Sequence, residues 1–240
     1  MERPSLNRPG LFSLAAAADS RRGVFDGHNE ALLATGLPID AVFAGDSITD
    51  MWQLDCFFAA QAGLMMNRGI GGDRTPFIRR RFAADVLHLR PSLVVFKSGV
   101  NNTWDLDPWD PMERRSEDEI EDEIVRDVSA MIAMAQAAGI AIAICSMLPT
   151  DIPSNGNTPV RNRLIARTNE RLRASAKAAG AVYVDYHRHL VDADGLTLKP
   201  GLADDGLHPH VGGYGLMADV LVDTLAAAGI TVLSRRPIRM

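Results

Sequence analysis

Cysteine is nearly missing: the 240 residues contain two, Cys56 and Cys145. That excludes a disulfide framework or a thiolate metal cluster, since either needs more sulfur. Cys56 lies beside Phe57 and Phe58, and Cys145 ends the apolar run Ile140 to Ile144, so both are expected to be buried free thiols. Aromatic residues make up 6% of the chain, which makes the close pair Trp104 and Trp109 stand out. No apolar run approaches the roughly 18 residues that a bilayer-spanning helix needs, so membrane insertion is not expected. Nor is there a Lys/Arg-rich run that could track phosphates, and a net charge of -5 disfavours nucleic acid as a partner. Near the start, Arg3 and Arg8 precede the short run Leu11 to Ala18, which superficially mimics a signal peptide. Ser13 interrupts it, Asp19, Arg21 and Arg22 follow, and a convincing small-residue cleavage site is lacking, so a cytoplasmic location is the expectation.

What is present is the composition of a soluble globular protein, 47% hydrophobic and 23% charged, long enough for one large core. No repeat, low-complexity tract or linker divides it. Residues 1–39 read as an N-terminal helical extension packed on a domain spanning 40–240, with helices around Phe12–Ala18 and Asn29–Ala34. Strands are expected at 40–44, 64–66, 93–96, 140–144 and 182–185, each a short apolar run. Between them come helical patterns: Ile48 to Ala60 with Met51, Trp52, Leu54, Phe57 and Phe58 near one face, Thr75 to Leu87, a helix after Ser116, Val160–Ala179, and Gly213 to Ala228. Ser116 and Glu119 form a capping box. Strands alternating with helices argue for a parallel sheet covered on both faces.

The chemistry gathers at strand ends. Ser47 follows the first strand and Gly45, at the start of a helical pattern, where backbone N–H groups favour developing negative charge. Serine caps helices as a matter of course, so Ser47 alone decides nothing. Serine is a weak nucleophile until a base takes its proton, and histidine is the side chain matched to that task near neutral pH. His208 stands out because Asp205 lies three residues earlier, close enough in a turn to hold the imidazole. Asp204 and His210 are the competing partners and need a different turn. Gly72, after the second strand, can bring a backbone N–H close to a developing oxyanion, and Asn101, after the third, offers an amide. In an open parallel sheet all these ends lie on one edge, and their joint occurrence there is what carries weight. Trp104 and Trp109 could wall an acyl pocket or stack on a sugar ring, or anchor their loop to the domain.

Gly45-Asp46-Ser47-Ile48, Asn67-Arg68-Gly69-Ile70-Gly71-Gly72-Asp73, Gly99-Val100-Asn101-Asn102 and Asp205-Gly206-Leu207-His208-Pro209 together resemble the four blocks of the SGNH (GDSL-type) hydrolase superfamily. The second and third blocks are similar in style to platelet-activating-factor acetylhydrolase catalytic subunits and related bacterial esterases. The resemblance covers about residues 40–228. It implies an α/β, flavodoxin-like three-layer sandwich with a central five-stranded parallel sheet. It also implies Ser47 as nucleophile, His208 as base and then acid, and Asp205 as its orienting partner. The oxyanion donors would be the backbone N–H groups of Ser47 and Gly72 and the Asn101 side chain. Asn102 stands where Asp is usual, which puts a supporting hydrogen bond in question rather than the reaction. Lys97, just before the third block, is unusual: either it holds a polar network near the site, or it lies at the surface.

The function expected is a metal-independent esterase without a cofactor, acting on small acyl esters, acetyl above all, of sugars or aryl alcohols. The alternatives are a lysophospholipase- or thioesterase-type hydrolase and a non-catalytic flavodoxin-like binding module. A metal site from His208, His210, Asp204 and Asp205 with His187 and His189 lacks a third-ligand spacing. Gly69 to Gly72 lacks the dinucleotide-binding glycine spacing, and the Gly-x-Ser-x-Gly elbow of α/β-hydrolases is missing. A homo-oligomer rests on base rates alone.

Overall fold

The computed structural model describes residues 7, 9–10, 16–108 and 111–237. Its centre is a five-stranded sheet of β1 (Ile39–Gly45), β3 (Leu64–Gly69), β4 (Leu93–Lys97), β5 (Ala141–Cys145) and β6 (Val182–Val184). The order is β3-β1-β4-β5-β6 and every neighbouring pair is parallel. Every residue of β1 and β4 is buried, as expected where side chains on both faces meet helices. The fold is thus the expected α/β sheet with helices around it. The order reverses at β1, between β3 and β4, so the loops after these strands converge on one crevice.

Helices α4 (Thr75–Asp85), α5 (Glu117–Ala137) and α6 (Thr158–Ala179) pack in one row, α4 on α5 and α5 on α6. On α5, Ile120, Ile124, Val128, Met131 and Ala135 are the buried stripe, and the Ser116–Glu119 capping box closes its N-terminus. Helix α8 (Val211–Ala227) packs with the short helices α3 (Leu54–Phe57) and α7 (Tyr186–Leu190).

The segment expected as one helix from Ile48 to Ala60 is broken into α2 (Ser47–Asp50), α3 and a short strand β2 (Phe58–Ala60). Trp52, Leu54, Phe57 and Phe58 do face the core, but on a kinked path that leaves Met51 exposed: the rings of Trp52 and Phe58 lie 5.9 and 5.5 Å from that of Phe43. The break is stabilised from the neighbouring strand. The Asn67 amide donates to the carbonyls of Thr49 at 2.7 Å and Trp52 at 3.1 Å, groups a continuous helix would have engaged itself. β2 then pairs antiparallel with β7 (Leu233–Arg235). In so short a helix only Leu54 and Phe57 turn inward, so Cys56 is exposed rather than buried; Cys145 is buried as expected.

Ahead of the sheet, a 3-10 turn at Ala17–Arg21 leads into α1 (Arg22–Thr35). Of the two expected N-terminal helices, Asn29–Ala34 falls within α1, while most of Phe12–Ala18 lies outside the described residues. Helix α1 is tied to the sheet by buried charge. Arg22 pairs bidentately with Asp85 of α4, and Asn29 bridges Asp85 to the Arg68 guanidinium. The Phe25 ring lies under the guanidinium groups of Arg68 and Arg81, at 4.9 and 5.9 Å.

Candidate active site

Asp46 caps the single turn of α2: its Oδ1 accepts the Ile48 N–H at 3.1 Å, so Ser47 becomes the first helical residue. The N–H of a first helical residue has no partner within its helix. From α8 the Tyr214 hydroxyl donates to the Ile48 carbonyl at 2.8 Å, and its ring stacks on Trp52. The serine is therefore held on a turn fixed from three sides.

The distant partner arrives on the loop before α8. Ser47 Oγ lies 2.9 Å from His208 Nε2, and His208 Nδ1 lies 2.6 Å from Asp205 Oδ2. Asp205 Oδ1 accepts the backbone N–H groups of Leu207 and His208, at 2.9 and 2.7 Å. Burial pushes this carboxyl up, but the hydrogen bonds from the His208 ring and from those two N–H groups prevail and hold it down at about 2. The imidazole is thus oriented by an ionised carboxylate and aimed at the serine hydroxyl. The competing pairings do not form: His210 caps α8, its Nδ1 accepting the Gly212 N–H at 3.0 Å.

Gly72 sits at the exposed turn after β3, where the Asp73 N–H reaches the Ile70 carbonyl at 3.1 Å. Its φ of +77° is a left-handed conformation that glycine adopts without strain. Asn101, in the 3-10 turn Val100–Leu106 after β4, donates through Nδ2 to the Asp73 carbonyl at 2.9 Å and accepts from Trp104 Nε1 at 3.3 Å. These two bonds fix which way round the amide lies, and Nδ2 keeps a second hydrogen. Trp104 is half-buried under the Arg161 guanidinium, 4.1 Å from its ring centroid, so it is anchored as well as close to Asn101. Trp109 lies outside the described residues.

Sequence reasoning passed over Arg81, a charge buried beneath the site. Arg81 donates to Asp73 Oδ2 at 2.8 Å and to the carbonyls of Gly45 and Arg68 at 3.2 and 2.9 Å. One guanidinium therefore ties together the ends of β1 and β3 and the Gly72–Asp73 turn, and through the Asp73 carbonyl it reaches Asn101. Burial pushes the Asp73 carboxyl up while Arg81 pulls it down. Its only sequence signal was an arginine inside a helical pattern, which reads as solvated. Lys97 is 3% exposed, and Nζ lies 3.2 Å from Asp46 Oδ1, which settles it as buried rather than superficial. Burial lowers its ammonium below the lysine range, against the pull of Asp46. Asn102 accepts the Thr75 N–H at 3.2 Å and donates to Glu123 at 2.9 Å, so its amide bridges α4 and α5. Among the described residues no group of three or more His, Cys, Asp or Glu side chains is placed to hold a metal ion. Among them, too, no helix is long and apolar enough to cross a membrane.

Several solved structures are similar. A candidate acylhydrolase of Bacteroides fragilis is 26% identical, with a TM-score of 0.68 over 88% of this chain and 97% of its own. A candidate platelet activating factor from Streptococcus pneumonia is 21% identical, with a TM-score of 0.68 over 86% and 93%. An acetylxylan esterase of Geobacillus stearothermophilus, at 19% identity and a TM-score of 0.60 over 78% and 94%, shares the fold. No curated protein matches the sequence. Residues 43–216 match the GDSL-like Lipase/Acylhydrolase family, and on that match the chain belongs to this family of carboxylic ester hydrolases.

Proposed function

We propose that the protein is a serine esterase that removes small acyl groups, acetyl foremost, through an acyl-enzyme on Ser47. The observation that carries this reading is the unbroken relay of 2.9 Å from Ser47 to His208 and 2.6 Å from His208 to Asp205. Ser47 Oγ attacks the ester carbonyl carbon as His208 Nε2 takes its proton, and Asp205 stabilises the imidazolium. The tetrahedral oxyanion lies against the N–H groups of Ser47 and Gly72 and the Asn101 amide. His208 then protonates the departing alkoxide, and a water activated by the same nitrogen releases the acid.

A small acyl group fits an open site: Gly71, Gly72 and Asp205 are exposed and Ser47 and His208 half-buried. Trp104, fixed beside Asn101, supplies a flat apolar wall suited to a sugar or aryl alcohol. The acetylxylan esterase similarity makes acetylated sugars the first substrates to try. A longer acyl chain, as in a lysophospholipase, is the second reading. It is favoured by Met51 and Val211, 51% and 55% exposed, which lie close in the chain to Ser47 and His208.

Hydrolysis of p-nitrophenyl acetate by wild type and by Ser47→Ala tests the nucleophile. The expected loss is about 10³-fold or more; equal rates would remove Ser47 from the mechanism. Acetate release from acetylated sugars, aryl acetates and lysophospholipids, with acyl length varied, then separates the two readings.

A further inference from the structure

Beneath Ser47 lies a buried ion pair that the acyl-transfer steps do not use. Lys97 ends β4, and in the parallel register it stands beside Gly45, the last residue of β1. A Cβ on Gly45 would lie 2.1 Å from the Lys97 carbonyl oxygen and 2.3 Å from Thr49 Oγ1, so the turn into α2 is pressed against Lys97 as only glycine allows. Asp46, next along the chain, folds its carboxylate back over β4. Lys97 Nζ donates to Oδ1 at 3.2 Å and to Oδ2 at 3.3 Å, while Oδ1 also accepts the Ile48 N–H. Asp46 is 0% exposed, and a carboxylate so buried requires a cation or a proton.

A one-turn helix such as α2 does not sustain its own shape. Its geometry is imposed from outside, by Asn67 and Tyr214 at its carbonyls and by Asp46 at its start. Of these contacts, the Asp46 carboxylate is the one adjacent to Ser47, and its direction is set by where the ammonium sits. We propose that Lys97 is a positioning residue for the nucleophile: through Asp46 it fixes the turn that presents the Ser47 hydroxyl to His208 and the Ser47 N–H to the oxyanion. The inference rests on Ser47 being the nucleophile. Lys97 does not touch the reacting atoms; its ammonium is engaged by both oxygens of Asp46. Without it, Asp46 keeps one backbone hydrogen bond and is free to turn.

The test compares wild type, Lys97→Met, Lys97→Arg and the double variant Asp46→Asn/Lys97→Met in steady-state hydrolysis of p-nitrophenyl acetate. Phosphonylation of Ser47 by a p-nitrophenyl phosphonate, followed by mass spectrometry, and thermal unfolding are measured on the same samples. Lys97→Met is expected to lower kcat by about 10- to 100-fold at nearly constant KM, as misplacement of a reacting group does, with a matching fall in the phosphonylation rate. Lys97→Arg should recover part of that loss. The double variant removes both charges and keeps the fold if Lys97→Met does not; its kcat should still be about 10-fold down, since the amide lacks its second anchor. A folded double variant with wild-type kcat would overturn the proposal and leave Lys97 as charge balance alone. So would Lys97→Met with unchanged kcat. Ser47→Ala, run alongside, separates the failures: if it is fully active the nucleophile reading falls, and if it is inactive while Lys97→Met is normal, only the Lys97 proposal does.

Discussion

Asp205 gives one oxygen to two backbone N–H groups and the other to the imidazole, so its charge is fixed by local geometry although it lies at the surface. Its folded-state value, about 2, is below the ordinary aspartate range. A depressed carboxylate stabilises the fold above its unfolded value and loses that contribution as pH falls through the folded one. Thermal melts of wild type and Asp205→Asn should therefore differ above about pH 4 and converge towards pH 2. Convergence already near neutral pH would contradict the hydrogen bonds described. This pair was legible in the sequence because it is local: three residues in one turn need no knowledge of the rest of the chain. Arg81 was not legible. Its four partners, Asp73, Asp85, Gly45 and Arg68, meet only after two strands and a helix have packed. Lys97 lay between these cases, conspicuous in sequence but without a partner until β1 and β4 stood side by side.

At the level of elements, strands were readable as short apolar runs, and α5 as a stripe with a capping box, because burial on one or both faces writes a periodic pattern. The stretch from Ile48 to Ala60 carried such a pattern too, and the pattern misled. Trp52, Leu54, Phe57 and Phe58 are buried, but the Asn67 amide and the β7 edge offer its backbone better partners than a continuous helix would. Those partners are distant in sequence, so local periodicity could not weigh them. Asn67→Ala should leave the Trp52 carbonyl without its side-chain donor and the Thr49 carbonyl with only the Trp52 N–H, and lower unfolding stability by about 1–3 kcal/mol, read from urea denaturation. Activity should fall with it, since the same amide sets the end of the turn bearing Ser47. A variant as stable as wild type would mean that the break in the helix is held by Trp52 and Phe58 packing alone.

Across the whole molecule, the site is assembled from segments that only the sheet order brings together, and buried charge as well as a small apolar cluster of Ala18, Phe25 and Ile70 joins the N-terminal helix to it. Arg22→Met breaks the pair with Asp85 while leaving that carboxylate buried, and should cost about 3 kcal/mol in urea unfolding. A loss below about 1 kcal/mol would mean that Arg81 and Asn29 compensate Asp85 fully. The antiparallel ribbon of β2 and β7 joins distant positions, Ser234 and Ala59 among them, separated by 175 residues, and flanks the segment that follows Ser47. For a chain emerging from the ribosome, this means that the segment following Ser47 waits for its clasp. Strand β2 stays an open edge until residues 233–235 have left the exit tunnel. A nascent polypeptide halted before residue 233 would carry Ser47, Asp205 and His208 with that edge still unzipped.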